Sequence, residues 1–359
     1  MQNSSKMRYI YTVPQQKLMI WPWDWLFGFI PIKDEALRKF IPKKNFYWTS
    51  SARNALYLIL NYIKKSSNKQ LTIAIPAFTC QVIKDSAKRA KYKVIYYDSG
   101  IVASVEDIQS VLENKPDIII LSYNFGYLPD EINKIVEMCK KYNIIIIEDC
   151  AQALGAKQKG KLAGSFGDYV IYSFGISKNI GFDGGLVASD EKLVLKNQKN
   201  MPFIKLLSSI LQSIIGPLLL TKLFFPISNH IMKKKLEKIK KYPLKNYSLP
   251  IFIRNIICHL AKKYEKVLKK RQENYKIITG VDSEDACLYF PIVDNIKEIK
   301  QCAATKGIEL ENMKSFNFLP NDSQKKEFPK AARISENHLS FALFRSKKDI
   351  DKIKEVIGI

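Results

Sequence analysis

Two spacings of apolar residues organise this chain. From Phe46 onward, short β-branched runs alternate with stretches of helical period. Leu71-Thr-Ile-Ala-Ile75, Lys93-Val-Ile-Tyr-Tyr97, Asp117-Ile-Ile-Ile-Leu121, Tyr142-Asn-Ile-Ile-Ile-Ile-Glu148 and Asp168-Tyr-Val-Ile-Tyr-Ser-Phe174 read as strands. The fourth is apolar without alternation, the mark of a strand buried on both faces of a parallel sheet. Residues 52–64, 80–90, 105–113 and 129–142 have helical spacing. The alternation predicts an α/β fold with a doubly wound, mainly parallel sheet. Beyond it, 249–274 reads as a long helix. A smaller α+β domain follows, with strand Ala286-Cys-Leu-Tyr-Phe-Pro-Ile-Val293, helix 296–306, Gly307-Ile-Glu-Leu310 leading into a strand, and a final helix over 347–357. The expected organisation is an arm over 1–45, a large domain over 46–250 and a small domain over 251–359.

Two segments break the pattern. Residues 1–45 form an irregular arm with Trp21-Pro-Trp-Asp-Trp25; Pro22, Asp24 and Pro31 interrupt any apolar core, so it does not read as a signal peptide. Within the large domain, 201–245 is an apolar and basic helical insertion. Leu206-Leu-Ser-Ser-Ile-Leu-Gln-Ser-Ile-Ile-Gly-Pro-Leu-Leu-Leu-Thr221 is followed by Lys233-Lys-Lys-Leu-Glu-Lys-Ile-Lys-Lys241. The apolar part is shorter than the ~20 residues a spanning helix needs and is broken by Gly216-Pro217. A helical hairpin packed on the body or on a partner subunit is one expectation. A peripheral contact with anionic headgroups at the cytoplasmic membrane face is the other.

Composition narrows the function classes. With 359 residues and 47% hydrophobic content, the chain has material for a sizeable core and about two domains. Six cysteines, at 80, 139, 150, 258, 287 and 302, form no CxxC pair, which fits a reducing cytoplasm and suggests no metal centre. His230, His259 and His338 share no metal-ligand spacing. The 58 basic and 34 acidic residues give a net charge of +24. Only eight of the basic residues are arginines, and no nucleic-acid motif accompanies them, so a nucleic-acid partner is not expected.

Candidate chemistry gathers in the second half of the large domain. Asp149 closes the buried strand, and carboxyl ends of such strands face the ligand crevice of open α/β sheets. Lys178 follows the next strand by four residues, so both side chains are expected at one mouth.

These residues carry a resemblance. Pro76-Ala-Phe-Thr-Cys80, Glu148-Asp149-Cys-Ala-Gln152-Ala-Leu-Gly155, Gly164-Ser-Phe-Gly-Asp168, Tyr172-Ser173-Phe174 with Lys178, and Asp183-Gly-Gly-Leu-Val187 resemble the DegT/StrS-type sugar aminotransferases in order and spacing. The resemblance covers 46–187 and continues through Arg271 into the final helix. It implies the aspartate-aminotransferase fold (fold type I), a homodimer, and pyridoxal 5'-phosphate as cofactor. The implied reaction transfers an amino group from an amino-acid donor, glutamate, to a keto-sugar nucleotide, for polysaccharide or glycoconjugate biosynthesis.

Residue by residue, Lys178 resembles the family's Schiff-base lysine, which also moves protons. Asp149 resembles the carboxylate that keeps the pyridine nitrogen protonated. Gln152 resembles the donor to the phenolic oxygen, and Ser173 a phosphate ligand. The rest of the phosphate cradle falls on the start of the first helix, Thr49-Ser-Ser-Ala52-Arg53, where free amides favour an anion. There Ala52 and Arg53 replace the usual glycine and threonine. Cys80 stands where the family often has an aromatic ring. Tyr123 and Asn124 lie near the expected substrate mouth, and Asp183-Gly-Gly185 reads as a backbone turn. A sister group that dehydrates sugars carries histidine in place of the lysine, so Lys178 favours transamination. A non-catalytic regulator that binds the cofactor, or a membrane-associated scaffold, is the alternative from another class.

Overall fold

The computed structural model describes residues 11–14, 18–65, 67, 69–195, 198–228, 246–312 and 316–358. His230 and the basic run from Lys233 to Lys241 lie outside the described residues. The apolar alternation becomes a seven-stranded sheet. Its strands are β1 (Asn45–Thr49), β2 (Thr72–Pro76), β4 (Lys93–Tyr97), β5 (Ile118–Ser122), β6 (Ile145–Asp149), β9 (Tyr169–Ser173) and β10 (Gly185–Ser189). They lie in the order β1-β10-β9-β6-β5-β2-β4. The run from β9 to β4 is parallel, while β10 is antiparallel to both β9 and β1. The outer pair β1 and β10 was not anticipated from the sequence, because each run is short and carries polar residues.

Between the strands come α2 (Ala52–Lys65), α3 (Gln81–Arg89), α4 (Val105–Leu112) and α5 (Ile132–Lys141), after a one-turn α1 (Glu35–Arg38). A short strand β3 (Phe78–Cys80) leads into α3, and a small hairpin of β7 (Lys157–Gln158) and β8 (Lys161–Leu162) precedes β9. The helices cover both faces of the sheet, which explains the unbroken apolar strands. In β5, Ile119 and Leu121 face a core shared with α4 and α5. Ile118 and Ile120 face the opposite core, shared with α2 and α3.

The long α7 (Ile251–Thr279) joins the two halves of the molecule. Ile253, Ile256, Leu260, Tyr264 and Val267 pack in the large core, and Ile278 in the C-terminal one. The arm also packs on the body, through Met19, Ile20, Leu37, Phe40 and Ile41. In the C-terminal part, β11 (Tyr289–Ile292) pairs antiparallel with β13 (Leu339–Ala342) beside α8 (Ile296–Thr305), α9 (Pro329–Glu336) and α10 (Lys347–Ile357). Gly307-Ile-Glu-Leu310 is itself coil, and the strand that follows it is Phe316–Phe318. Ile308 and Glu311 make single bridges to Val13 and Ser340, while Ile308 and Leu310 fill the core from a coil. That strand, β12 (Phe316–Phe318), leaves this part and pairs with β3 of the large one.

The insertion forms α6 (Phe203–Leu219), with Pro217 in its last turn. Its polarity is reversed relative to an ordinary surface helix. Ser209 and Ser213 are buried, and Gly216 sits against Ile176 and Leu18. Leu207, Leu211, Ile215 and Leu218, at helical spacing, are 39–47% exposed, and Phe203 and Ile204 more than 70%. Leu206 packs on the main core from the same helix, so α6 rests on the body while this stripe faces away from it. No described helix is long and apolar enough to cross a membrane.

Candidate active site

The carboxyl ends of β6 and β9 create the site. Asp149 is the last residue of β6 and stands opposite Ile171 in the register, so its carboxyl group emerges at the sheet edge. Its Oδ1 accepts the Ala151 N–H at 3.0 Å. Burial pushes the Asp149 carboxyl above the ordinary carboxylate range, opposed by that N–H and by the Lys178 charge. Gln152 follows in the same loop. Its Oε1 accepts the Phe125 N–H at 2.7 Å, while its buried Nε2 has no partner among the described residues. A buried amide N–H without a partner is costly unless a ligand takes it.

Glu148 points to the opposite side, as strand alternation requires. It is fully buried and accepts N–H groups of Gly164, Phe166 and Gly167 at 2.6–2.8 Å, with the Tyr123 hydroxyl at 2.8 Å. Burial raises its pKa, against the pull of those hydrogen bonds. Glu148 thus ties the Gly164-Ser-Phe-Gly167 turn to β6, a role the sequence reading did not find. Tyr123 lines the cleft but spends its hydroxyl on this internal bond. Asn124 likewise donates through Nδ2 to the Phe78 carbonyl at 3.3 Å.

Lys178 lies in the loop between β9 and β10, in a turn closed by its own N–H to the Gly175 carbonyl at 2.8 Å. Three side chains fix this loop. Arg271 on α7, fully enclosed, donates to Asn179 Oδ1 at 2.9 Å, and the Tyr264 hydroxyl reaches the same oxygen at 3.0 Å. Tyr289 holds the Ser177 carbonyl at 3.1 Å. Burial lowers the Arg271 pKa, offset in part by Tyr264. A signal for this lock was available: Arg271 continues the apolar stripe of Leu260, Tyr264 and Leu268, and a charge there needs a partner.

The start of α2 borders the same cleft. Ser51 caps the helix, accepting the Asn54 N–H on Oγ at 3.2 Å, and Ala52 and Arg53 occupy the first turn. Gly185 permits this placement, because a Cβ there would lie 2.3 Å from both Ala52 N and the Ser51 carbonyl carbon. The Asp183-Gly-Gly185 turn therefore seats the helix against β10. Ser173, at the end of β9, accepts the Gly175 N–H at 3.4 Å, leaving its hydroxyl proton to donate.

The six candidate residues, Ala52, Arg53, Asp149, Gln152, Ser173 and Lys178, line one cleft of about 210 Å³, with Cys80, Tyr123 and Phe316. Burial raises the Cys80 thiol pKa, eased mainly by the Lys178 charge. A groove of about 500 Å³ lies at the opposite, amino ends of β2, β5 and β6, beside Lys69, Asp117 and Tyr142, without such convergence. The main cleft suits a flat, anionic ligand, with a carboxylate and a lysine among its polar groups and a helix N-terminus for the negative end. Among the described residues no His, Cys, Asp and Glu cluster is arranged to hold a metal.

Fold and site together define the class: an α/β protein of fold type I, with its candidate site at the carboxyl edge of the sheet. Overlays agree. A putative sugar aminotransferase from Streptococcus pneumoniae superposes with TM-score 0.69 at 18% identity, covering 96% of each chain. The E. coli GDP-4-keto-6-deoxy-D-mannose-3-dehydratase superposes with TM-score 0.65 at 19% identity, covering 89% of each. Residues 34–204 match the model of the DegT/DnrJ/EryC1/StrS aminotransferase family. Over 161 residues the chain is 32% identical to GDP-perosamine synthase of Escherichia coli O157:H7. That alignment spans 43% of each protein, so the similarity covers less than half of the relative's length.

Proposed function

We propose that this protein is a pyridoxal-phosphate-dependent aminotransferase that moves an amino group, with glutamate as donor, onto a keto-sugar nucleotide. The observation that carries the reading is the convergence of Lys178, Asp149, Ser173 and an unpartnered Gln152 Nε2 on one cleft beside the α2 N-terminus. The residues fit the cofactor group by group. Asp149 would meet a protonated ring nitrogen, Gln152 Nε2 would donate to the phenolic oxygen, and Ser173 with the first turn of α2 would hold the phosphate. When bound, pyridoxal phosphate supplies an electrophilic aldehyde and an electron-withdrawing ring.

The chain's own groups do the rest. The Lys178 amine would hold the aldehyde group and, as a free amine, would move a proton at the substrate carbon. The Arg271–Asn179 bond and the Tyr289–Ser177 bond keep that amine at a fixed place in the cleft. Asp149, whose carboxyl burial pushes up while the Ala151 N–H and the Lys178 charge pull it back, would face the ring nitrogen and favour its protonated form. The dehydratase overlay raises the sugar-dehydration reading, which a lysine at position 178 disfavours.

Absorption of the purified protein tests the proposal. A long-wavelength band after adding pyridoxal phosphate, shifted by glutamate and absent in Lys178→Ala, is expected. A wild type that stays colourless overturns it.

The same reading includes a homodimer. The apolar stripe of α6 supports it, because a stripe this size is usually covered. Sedimentation is expected to give a dimer that Leu211→Ser with Ile215→Ser converts to monomer. A monomeric wild type that floats with anionic vesicles makes the stripe a lipid contact instead. The unpaired cysteines are in keeping with a cytoplasmic location.

A further inference from the structure

A flat-ring ligand gripped at its edges by polar groups also needs an apolar plane for its face. The aromatic rings lining the cleft are those of Tyr123 and Phe316. Tyr123 is tied by its hydroxyl to Glu148. Phe316 arrives from the C-terminal part, where β12 pairs with β3 so that Phe316 stands directly opposite Cys80. Directly opposed residues of an antiparallel pair project from the same face, so both side chains look into the cleft. The Cys80 thiol is too small to offer a plane. The Phe316 ring fills that side, with its centroid 5.9 Å from Lys178 Nζ.

The ring is also held rigidly. It stacks on Phe125 with centroids 5.5 Å apart and planes at 18°, and tilts against Phe78 at 5.7 Å. Phe125 has φ of 59°, a conformation rarely adopted outside glycine. It is fixed there by its N–H to Gln152 Oε1 and by its carbonyl, which accepts the Leu288 N–H at 2.9 Å. Gln152 therefore has one end free toward the cleft while the other end holds the ring that backs Phe316.

We propose that Phe316 is the aromatic wall against which the cofactor ring lies, taking over the face that Cys80 leaves uncovered. This rests on the pyridoxal-phosphate reading above. It makes the ring seat a joint product of both halves of the molecule, complete only with β12 docked on β3.

The test is titration of the full-length apoprotein with pyridoxal phosphate alone, followed by quenching of protein fluorescence. Phe316→Leu keeps apolar bulk and removes the ring; affinity falls about tenfold, in line with the usual worth of a ring contact. Phe316→Trp stays within about threefold of wild type, and adding Cys80→Phe to Phe316→Leu restores binding. Melting curves of the apo variants report folding separately. Wild-type affinity in Phe316→Leu overturns the assignment of Phe316 alone. A loss shared equally by Phe316→Trp and unrepaired by Cys80→Phe also overturns it. A wild type that binds no pyridoxal phosphate overturns both this inference and the reading beneath it.

Discussion

Helices α2 and α6 both border the loop that carries Lys178, yet they treat their apolar residues in opposite ways. In α2, Leu56, Ile59, Leu60 and Ile63 lie against the sheet, and the helix presents its N-terminus to the cleft. In α6, serines and a glycine face the body, Ser209 donating to Asp183 beside the Lys178 loop, and Leu207, Leu211 and Leu218 face outward. Burial of α2 is complete within one chain. Burial of α6 is not, because the hydrophobic effect leaves an apolar stripe unsatisfied until something covers it. The comparison separates residues that build the fold from residues that await a neighbour.

Five substitutions break or sharpen that contrast. The largest effect is expected at the point both helices border: Lys178→Ala lowers amino transfer by about 10³-fold or more, measured as glutamate-dependent product formation. Next, Leu60→Ala in α2 destabilises by about 2–5 kcal/mol in chemical denaturation, as filled cores lose packing. Leu211→Ser in α6, read on the monomer, changes stability by about 0.5 kcal/mol or less. Equal losses at the two positions would erase the distinction.

Asp149→Asn tests the site end of the comparison. Burial raises the Asp149 pKa in the folded chain, so its favourable protonated form is present at low pH and lost as pH rises through the folded value. Above that value the apoprotein carries a buried carboxylate that the Ala151 N–H and the Lys178 charge compensate only in part. Asp149→Asn is expected to raise the apo melting temperature at pH 7, with the gain vanishing below about pH 4. Affinity for pyridoxal phosphate falls about tenfold or more in the same variant, since a charged hydrogen bond is lost. A variant less stable than wild type at pH 7 contradicts the assignment of Asp149 as a strained, ligand-directed group. Ser51→Ala removes the cap of α2 and costs about 1 kcal/mol of stability by thermal melting, more than Leu211→Ser and less than Leu60→Ala.

Much of the large domain was legible because its signals are local. The runs at Asp117 and Tyr142 became β5 and β6, and Asp149 came out at the strand end where ligands bind open sheets. Cys80 was visible as a departure, but nothing near it in the chain pointed to Phe316. A strand does follow Gly307-Ile-Glu-Leu310, but its pairing with β3 of the large part depends on residues far away in the chain.

By itself, the sequence determined the parallel sheet, the helices between its strands and the shared neighbourhood of Lys178, Asp149, Gln152 and Ser173. Period and strand order are properties of neighbouring residues, so they survive without knowledge of the rest. Tertiary structure alone decided which face α6 turns outward, that Arg271 and Tyr264 lock Asn179, and that β12 carries Phe316 to Cys80. Each of these joins residues far apart in the chain, where the outcome depends on which surfaces remain uncovered after the local elements have formed.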